Sequence, residues 1–256
     1  MPPRHLILSD LHLGKKPASH HADLFRPLWS RGDHVIINGD CAELHDPRYS
    51  WEAVRQTLRL QEICDEDGVT LTLIAGNHDT PRSSETGSIL RLFEELGVDV
   101  ATDRARRLAY PELGLSVLAV PHQALAGEDR PALVPEGHLP HQVLMLHGEV
   151  PGIFPVDRTS VEYGGAVLQI ADLHAGDWSY VALGHYHVQR EVMPRVWYAG
   201  ALEYVSSNVW GEIRDEAIQG TSGKGWLIID LPAGTVTLRI GMRASGAALD
   251  AALDGE

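Results

Sequence analysis

Five short polar clusters, each directly after a run of apolar residues, constrain this chain more than any other feature. They are Asp10-Leu11-His12, Gly39-Asp40, Gly76-Asn77-His78-Asp79, His147-Gly148 and Gly184-His185-Tyr186-His187. The runs before them are His5-Leu-Ile-Leu8, His34-Val-Ile-Ile37, Val69–Ala75, Gln142–Leu146 and Tyr180–Leu183, which read as strands ending in polar loops. In α/β sheets the loops beyond the carboxyl ends of strands are where ligands bind. In Asp10-x-His12 and His185-x-His187, alternate side chains of an extended segment would point the same way and reach one ion. Each cluster alone has an ordinary explanation: Gly-Asp is commonly an Asx turn or helix cap, and a lone histidine at a strand end is commonly a hydrogen-bonded core residue. Five of them in order, all at strand ends, point to a metal site.

The intervening segments set the fold class. Trp51–Glu66 carries Trp51, Val54, Leu58 and Ile63 at roughly helical spacing, and Ser84–Leu96 reads as a second helix stopped by Gly97. Strand–helix–strand alternation argues for α/β organisation. The second half is richer in strand, with Leu115–Val120, Gln189–Tyr198, Gly225–Leu231 and Thr235–Ile240 as further candidates. The pattern predicts two packed sheets with helices outside, forming one domain over residues 1–242. The Ala/Asp/Gly-rich stretch Arg243–Glu256 is expected to be a fraying tail.

Composition narrows the function. A net charge of −14 makes broad adhesion to nucleic acid a poor expectation, although bound cations would neutralise part of it. Fourteen histidines are the more informative count, because imidazole is the commonest transition-metal ligand. The two cysteines, Cys41 and Cys64, lack metal-ligand spacing and read as reduced thiols. No stretch approaches the ~18 apolar residues that would cross a bilayer. The run Leu6–Leu8 is too short for a signal-peptide core, so a cytoplasmic protein with no membrane partner is expected.

The ordered set D-x-H, G-D, G-N-H-D, H, G-H-x-H resembles the calcineurin-like metallophosphoesterase superfamily. The resemblance implies a four-layer α/β/β/α sandwich of two mixed sheets. By motif position it implies that Asp10, His12 and His187 bind one divalent ion and Asn77, His147 and His185 a second, with Asp40 bridging both. Mixed imidazole, carboxylate and amide ligands suit Mn²⁺, Fe²⁺ or Zn²⁺, with Mn²⁺ the expected pair. Two ions ~3.5–4 Å apart can activate a bridging water and clamp phosphoryl oxygens during in-line displacement. His78, beside ligand Asn77, is assigned as transition-state stabiliser or general acid toward the leaving oxygen, with Asp79 orienting its imidazole. The chain offers no P-loop, no Gly-x-Ser-x-Gly elbow and no cysteine-based site.

Three stretches bear on the substrate. Ser9-Asp-Leu-His-Leu-Gly14 resembles the opening of the SbcD/Mre11 DNA-repair nucleases. Tyr198–Glu203, followed by Gly211-Glu212 and Lys224-Gly-Trp226, is similar to the end of their nuclease domain. His45-Asp-Pro-Arg48-Tyr-Ser50 resembles their H-x-x-R-P-S, which implies that His45 assists exonuclease action. Ala201 and Tyr49 depart from that pattern, and Cys41–Leu44 is two residues longer than the matching spacer. The chain stops before the family's DNA-capping domain and the segment that binds its SMC-like ATPase partner (SbcC/Rad50 type), so either a minimal nuclease or a fragment is expected. Two readings stand: a DNA nuclease acting on single strands or ends, and a small-molecule phosphodiesterase or phosphatase. A scaffold that merely kept the fold is a distant third.

Overall fold

The computed structural model describes residues 4–15, 22–43, 47–80, 87–153, 166–205, 208–219 and 224–240. Their apolar runs become two six-stranded sheets. The first holds β1 (His5–Leu8), β2 (His34–Asn38), β3 (Thr70–Ile74), β4 (Asp99–Ala101), β11 (Gly225–Asp230) and β12 (Thr235–Ile240). Its order is β12-β11-β1-β2-β3-β4, parallel from β1 to β4, with β11 antiparallel to β1 and β12 antiparallel to β11. The second holds β5 (Arg106–Tyr110), β6 (Leu115–Val120), β7 (His141–His147), β8 (Tyr180–Gly184), β9 (Arg190–Met193) and β10 (Val196–Tyr198), in the order β5-β6-β7-β8-β10-β9. Every residue of β1, β2, β6 and β8 is buried, which is why these strands read as unbroken rather than alternating runs.

Three apolar layers separate the elements. Ile7, Ile36 and Ile74 meet Val117, Ala119, Val143, Met145 and Ala182 between the sheets. On the outer face of the first sheet, Leu6, Leu8, Val35 and Ile37 pack on Leu60 and Ile63 of α1 (Pro47–Asp67) and on Phe93 of α2 (Arg91–Glu95). On the outer face of the second, Leu144, Leu146, Val181 and Leu183 are covered by Leu125 of α3 (His122–Ala126), Leu173 and Trp178. This is the α/β class with two packed mixed sheets, the outer cover of the second sheet being mainly loop and short helix. Among the described residues no helix is long and apolar enough to cross a membrane. Cys41 and Cys64 are buried free thiols.

Several boundaries differ from expectation. The expected helix Ser84–Leu96 has α-helix only over Arg91–Glu95, its start lying outside the described residues. Gln189–Tyr198 is two antiparallel strands, because Arg195 turns the chain at φ 68°. Helix α4 (Val209–Gln219) and strands β4 and β5 are additional. His45 and the tail Arg243–Glu256 lie outside the described residues.

At the end of the sheet away from the ligand loops, His5 and His34 are buried with Nδ1 atoms 3.3 Å apart, and His34 Nε2 lies 2.8 Å from Thr72 Oγ1. Burial, with His141 adding to it against Asp33 and Asp230, pushes the His5 imidazole down to about 4. Burial and the neighbouring His5 push His34 down to about 3. Above the ordinary histidine range both are neutral whether folded or unfolded, so the fold loses nothing. As pH falls from about 6.5 toward 4 and 3, the unfolded chain takes up protons that the fold refuses, and stability declines by up to ~1.4 kcal/mol per group per pH unit. Denaturant midpoints for His34→Gln are expected to fall less steeply over this window than those of the parent; parallel slopes would contradict it.

Candidate metal centre

The five clusters meet at the carboxyl ends of β1, β2, β3, β7 and β8. The loops after β1 and β2 run side by side, the Asp10 N–H donating to Gly39 O (3.0 Å) and the His12 N–H to Asp40 O (2.9 Å). The chain here is not extended, contrary to the alternation reading. Asp10, His12 and Asp40 adopt left-handed φ of 51°, 44° and 49°, and His185 has φ 113°. Such conformations cost roughly 1–3 kcal/mol each in non-glycine residues and persist where the surroundings over-determine them, typically at functional sites. Gly39 (φ 89°) and Gly184 are required for space: a Cβ on the first would overlap the His147 ring and one on the second Asn38 O.

Two donor groups result. Asp10, His12 and His187 place ligand atoms within 4.8 Å of one another, all three residues being buried. Asn77 Oδ1 lies 2.9 Å from His147 Nε2 and 3.2 Å from His185 Nδ1. Asp40 Oδ2 stands between the groups, 3.9 Å from His12 Nε2 and 3.4 Å from His147 Nε2. All seven residues named from the sequence therefore face one buried volume.

The rings are held from behind. Glu43 Oε2 is 3.2 Å from His12 Nδ1, Glu212 Oε1 is 3.0 Å from His187 Nδ1, and Asn38 O is 2.9 Å from His147 Nδ1. A carboxylate or carbonyl on one ring nitrogen fixes the tautomer that presents the other nitrogen as a ligand. Sequence reasoning missed Glu43, three residues after Asp40, and quoted Glu212 only as part of a family-like segment.

His78 sits at the rim. Its ring lies 4.7 Å from that of His12, and its side chain is 20% exposed where those of His12, Asp40 and His147 are fully covered. Its backbone N–H donates to Asp40 Oδ1 (2.8 Å), which ties the rim to the bridging position. The orienting part expected of Asp79 falls to Glu43, whose Oε1 is 3.2 Å from His78 Nδ1. The Asp79 carboxylate instead accepts the backbone N–H groups of Cys41, Ala42 and Gly76, pinning the loops after β2 and β3 together. Burial and nearby Asp40 push that carboxyl up to about 7 against the three amides.

The residues fit a cation pair. Asp10 Oδ1 and Asp40 Oδ2 are buried and accept no hydrogen bond among the described residues, a costly state for carboxylate oxygens unless a positive charge faces them. Burial alone would raise Asp40, but the imidazoles of His147, His78 and His12 hold its carboxyl well below the usual range. Burial keeps His12 neutral, at about 4, the form that ligates metal. His147 is driven up to about 9 by Asp40 and Asp10 in spite of its burial, so a cation entering here displaces a proton.

The fold and this donor set define a metal-dependent hydrolase class. The family model for calcineurin-like phosphoesterases matches residues 3–189, and the chain belongs to that family. No curated protein matches the chain.

Proposed function

We propose that the protein is a dinuclear-metal phosphodiesterase of the SbcD/Mre11 nuclease type, acting on DNA single strands or ends in repair or processing with Mn²⁺ as its working metal. The observation that carries the nuclease reading is where the family-like C-terminal segment goes. Tyr198 accepts the Val150 N–H (2.9 Å) and donates to Gly148 O (2.9 Å), fastening the turn after His147. Glu212 and Lys224 reach the His187 loop. The segment whose resemblance suggested a nuclease thus builds the back wall of the metal centre. Bound divalent ions supply Lewis acidity toward a phosphoryl oxygen and an activated water. The chain's own part is to aim seven donors inward, exclude bulk water behind them, and hold the His78 imidazole at the rim, where it can give a proton to the leaving oxygen. Cytoplasmic residence and an SMC-like ATPase partner belong to the same proposal, the first supported by the unpaired thiols.

Two exposed tryptophans offer flat surfaces on which the bases of a polynucleotide would stack. Trp51 (77% exposed) lies two residues before Ala53, which packs on Gly14 beside the first ligand loop. Trp210 (61% exposed) lies two residues before Glu212. Base–aromatic stacking is worth ~1–3 kcal/mol per base, so Trp51→Ala and Trp210→Ala are each expected to raise KM for a labelled single strand about 5- to 100-fold. Hydrolysis of bis-p-nitrophenyl phosphate should be unchanged. Equal effects on both substrates would favour the alternative, a small-molecule phosphodiesterase or phosphatase, which the net charge of −14 supports. Assays of both substrates and a duplex with and without Mn²⁺ test the proposal as a whole.

A further inference from the structure

A buried cluster built wholly from residues after 189 stands behind His187. Lys224, only 3% exposed, donates through Nζ to the backbone oxygen of His187 at 2.8 Å. The same ammonium pairs with Glu212 Oε2 at 2.6 Å and with Glu216 Oε1 at 3.0 Å. Glu212 turns its other oxygen, Oε1, to His187 Nδ1. Glu216 also accepts the Tyr204 hydroxyl at 2.9 Å, and the Lys224 ammonium lies 4.8 Å over the Tyr204 ring. His187 is therefore gripped twice by one lysine, directly at its backbone and through Glu212 at its ring. Glu212 and Glu216 are one helical turn apart on α4, so the helix presents both to the lysine.

Two carboxylates and one ammonium in so enclosed a place are not explained by stability, since buried ion pairs rarely exceed well-packed apolar residues in that respect. They do fix geometry. We infer that Lys224 and Glu212 are positioning residues for the first metal ion, holding His187 so that Nε2 points at the Asp10–His12 group while leaving the Asn77–His147–His185 group untouched. This rests on the dinuclear reading of the site and not on the identity of the phosphoester.

The test is Mn²⁺ titrated calorimetrically into the metal-free full-length protein and its variants, with melting in chelator as the measure of fold. Glu212→Gln keeps the shape and an oxygen for Nδ1 but loses the charge that Lys224 holds; Lys224→Met removes the grip. Each should weaken one Mn²⁺ site about 10- to 100-fold, as second-shell changes do, and leave the other as in the parent. The double variant should be no weaker at that site than the worse single one, because both act through the same ring. Unchanged binding at both sites would overturn the inference. So would equal weakening of both sites together with a lower melting temperature in chelator, which would make the cluster a support for the fold alone. Should Lys224→Met fail to fold, Glu212→Gln decides by the same criteria. Loss of one site with the other intact stands whatever phosphoester is cleaved, and failure of the dinuclear reading would show separately as fewer than two Mn²⁺ sites in the parent.

Discussion

Asp40→Asn is expected to empty both metal sites and to bring phosphodiester hydrolysis to background. Its Oδ2 lies between the two donor groups, and its charge would balance two cations held among these buried residues. The amide retains an oxygen for the His78 N–H but cannot supply that charge. A neutral ligand shared by two divalent ions is far weaker than an anionic one, since each loses a direct Coulomb partner at low dielectric. His12→Ala, by contrast, touches only the first group and should leave the second ion bound. Metal content of the purified variants decides between them. Two tightly held ions in Asp40→Asn would refute the bridging assignment.

His78→Ala is expected to lower turnover by ~10²–10⁴ while metal content stays at the parent level. The ring lies beside His12 and partly exposed at the rim, and its Nδ1 faces Glu43. A loss confined to kcat, with both ions counted in the protein, is the expected pattern. Disappearance of an ion would make His78 a ligand instead. Glu43 touches both His12 and His78, so its replacement mixes a metal effect with a proton effect and is the poorer probe of either.

Most of the sheet framework was legible in the sequence because the parallel strands are buried on both faces and so appear as apolar runs with abrupt polar ends. His5–Leu8, Leu115–Val120 and Thr235–Ile240 coincide with strands at both boundaries. What escaped notice did so for physical reasons. Strand β4 is three residues long, and β5 opens on adjacent arginines that mask the buried Leu108 and Tyr110. Helix α4 is inverted: it buries Glu212, Asp215 and Glu216 and exposes Trp210 and Ile218, so its apolar periodicity points away from the protein. Glu43 and Glu212 could not be found from spacing, because they meet the ligand rings His12 and His187 across 31 and 25 residues. The alternation rule expected an extended backbone at Asp10 and His12, whereas both are left-handed, and that backbone sets where their side chains go.

The placement of donors on strands β1, β2, β3, β7 and β8 also fixes when the centre can come into being. Asp10 is made well before His187, with strands β2 to β8 laid down between them. No nascent chain shorter than one reaching past β8 can close the first donor group, and the residues that steady His187 emerge later still. The full donor set can therefore assemble only once β8 has emerged, while strands β9 to β12 are still to come. Until then the strained loops after β1 and β2 must wait with their carboxylates open to water, and any divalent ion in the cell that meets them meets only half of a binding site.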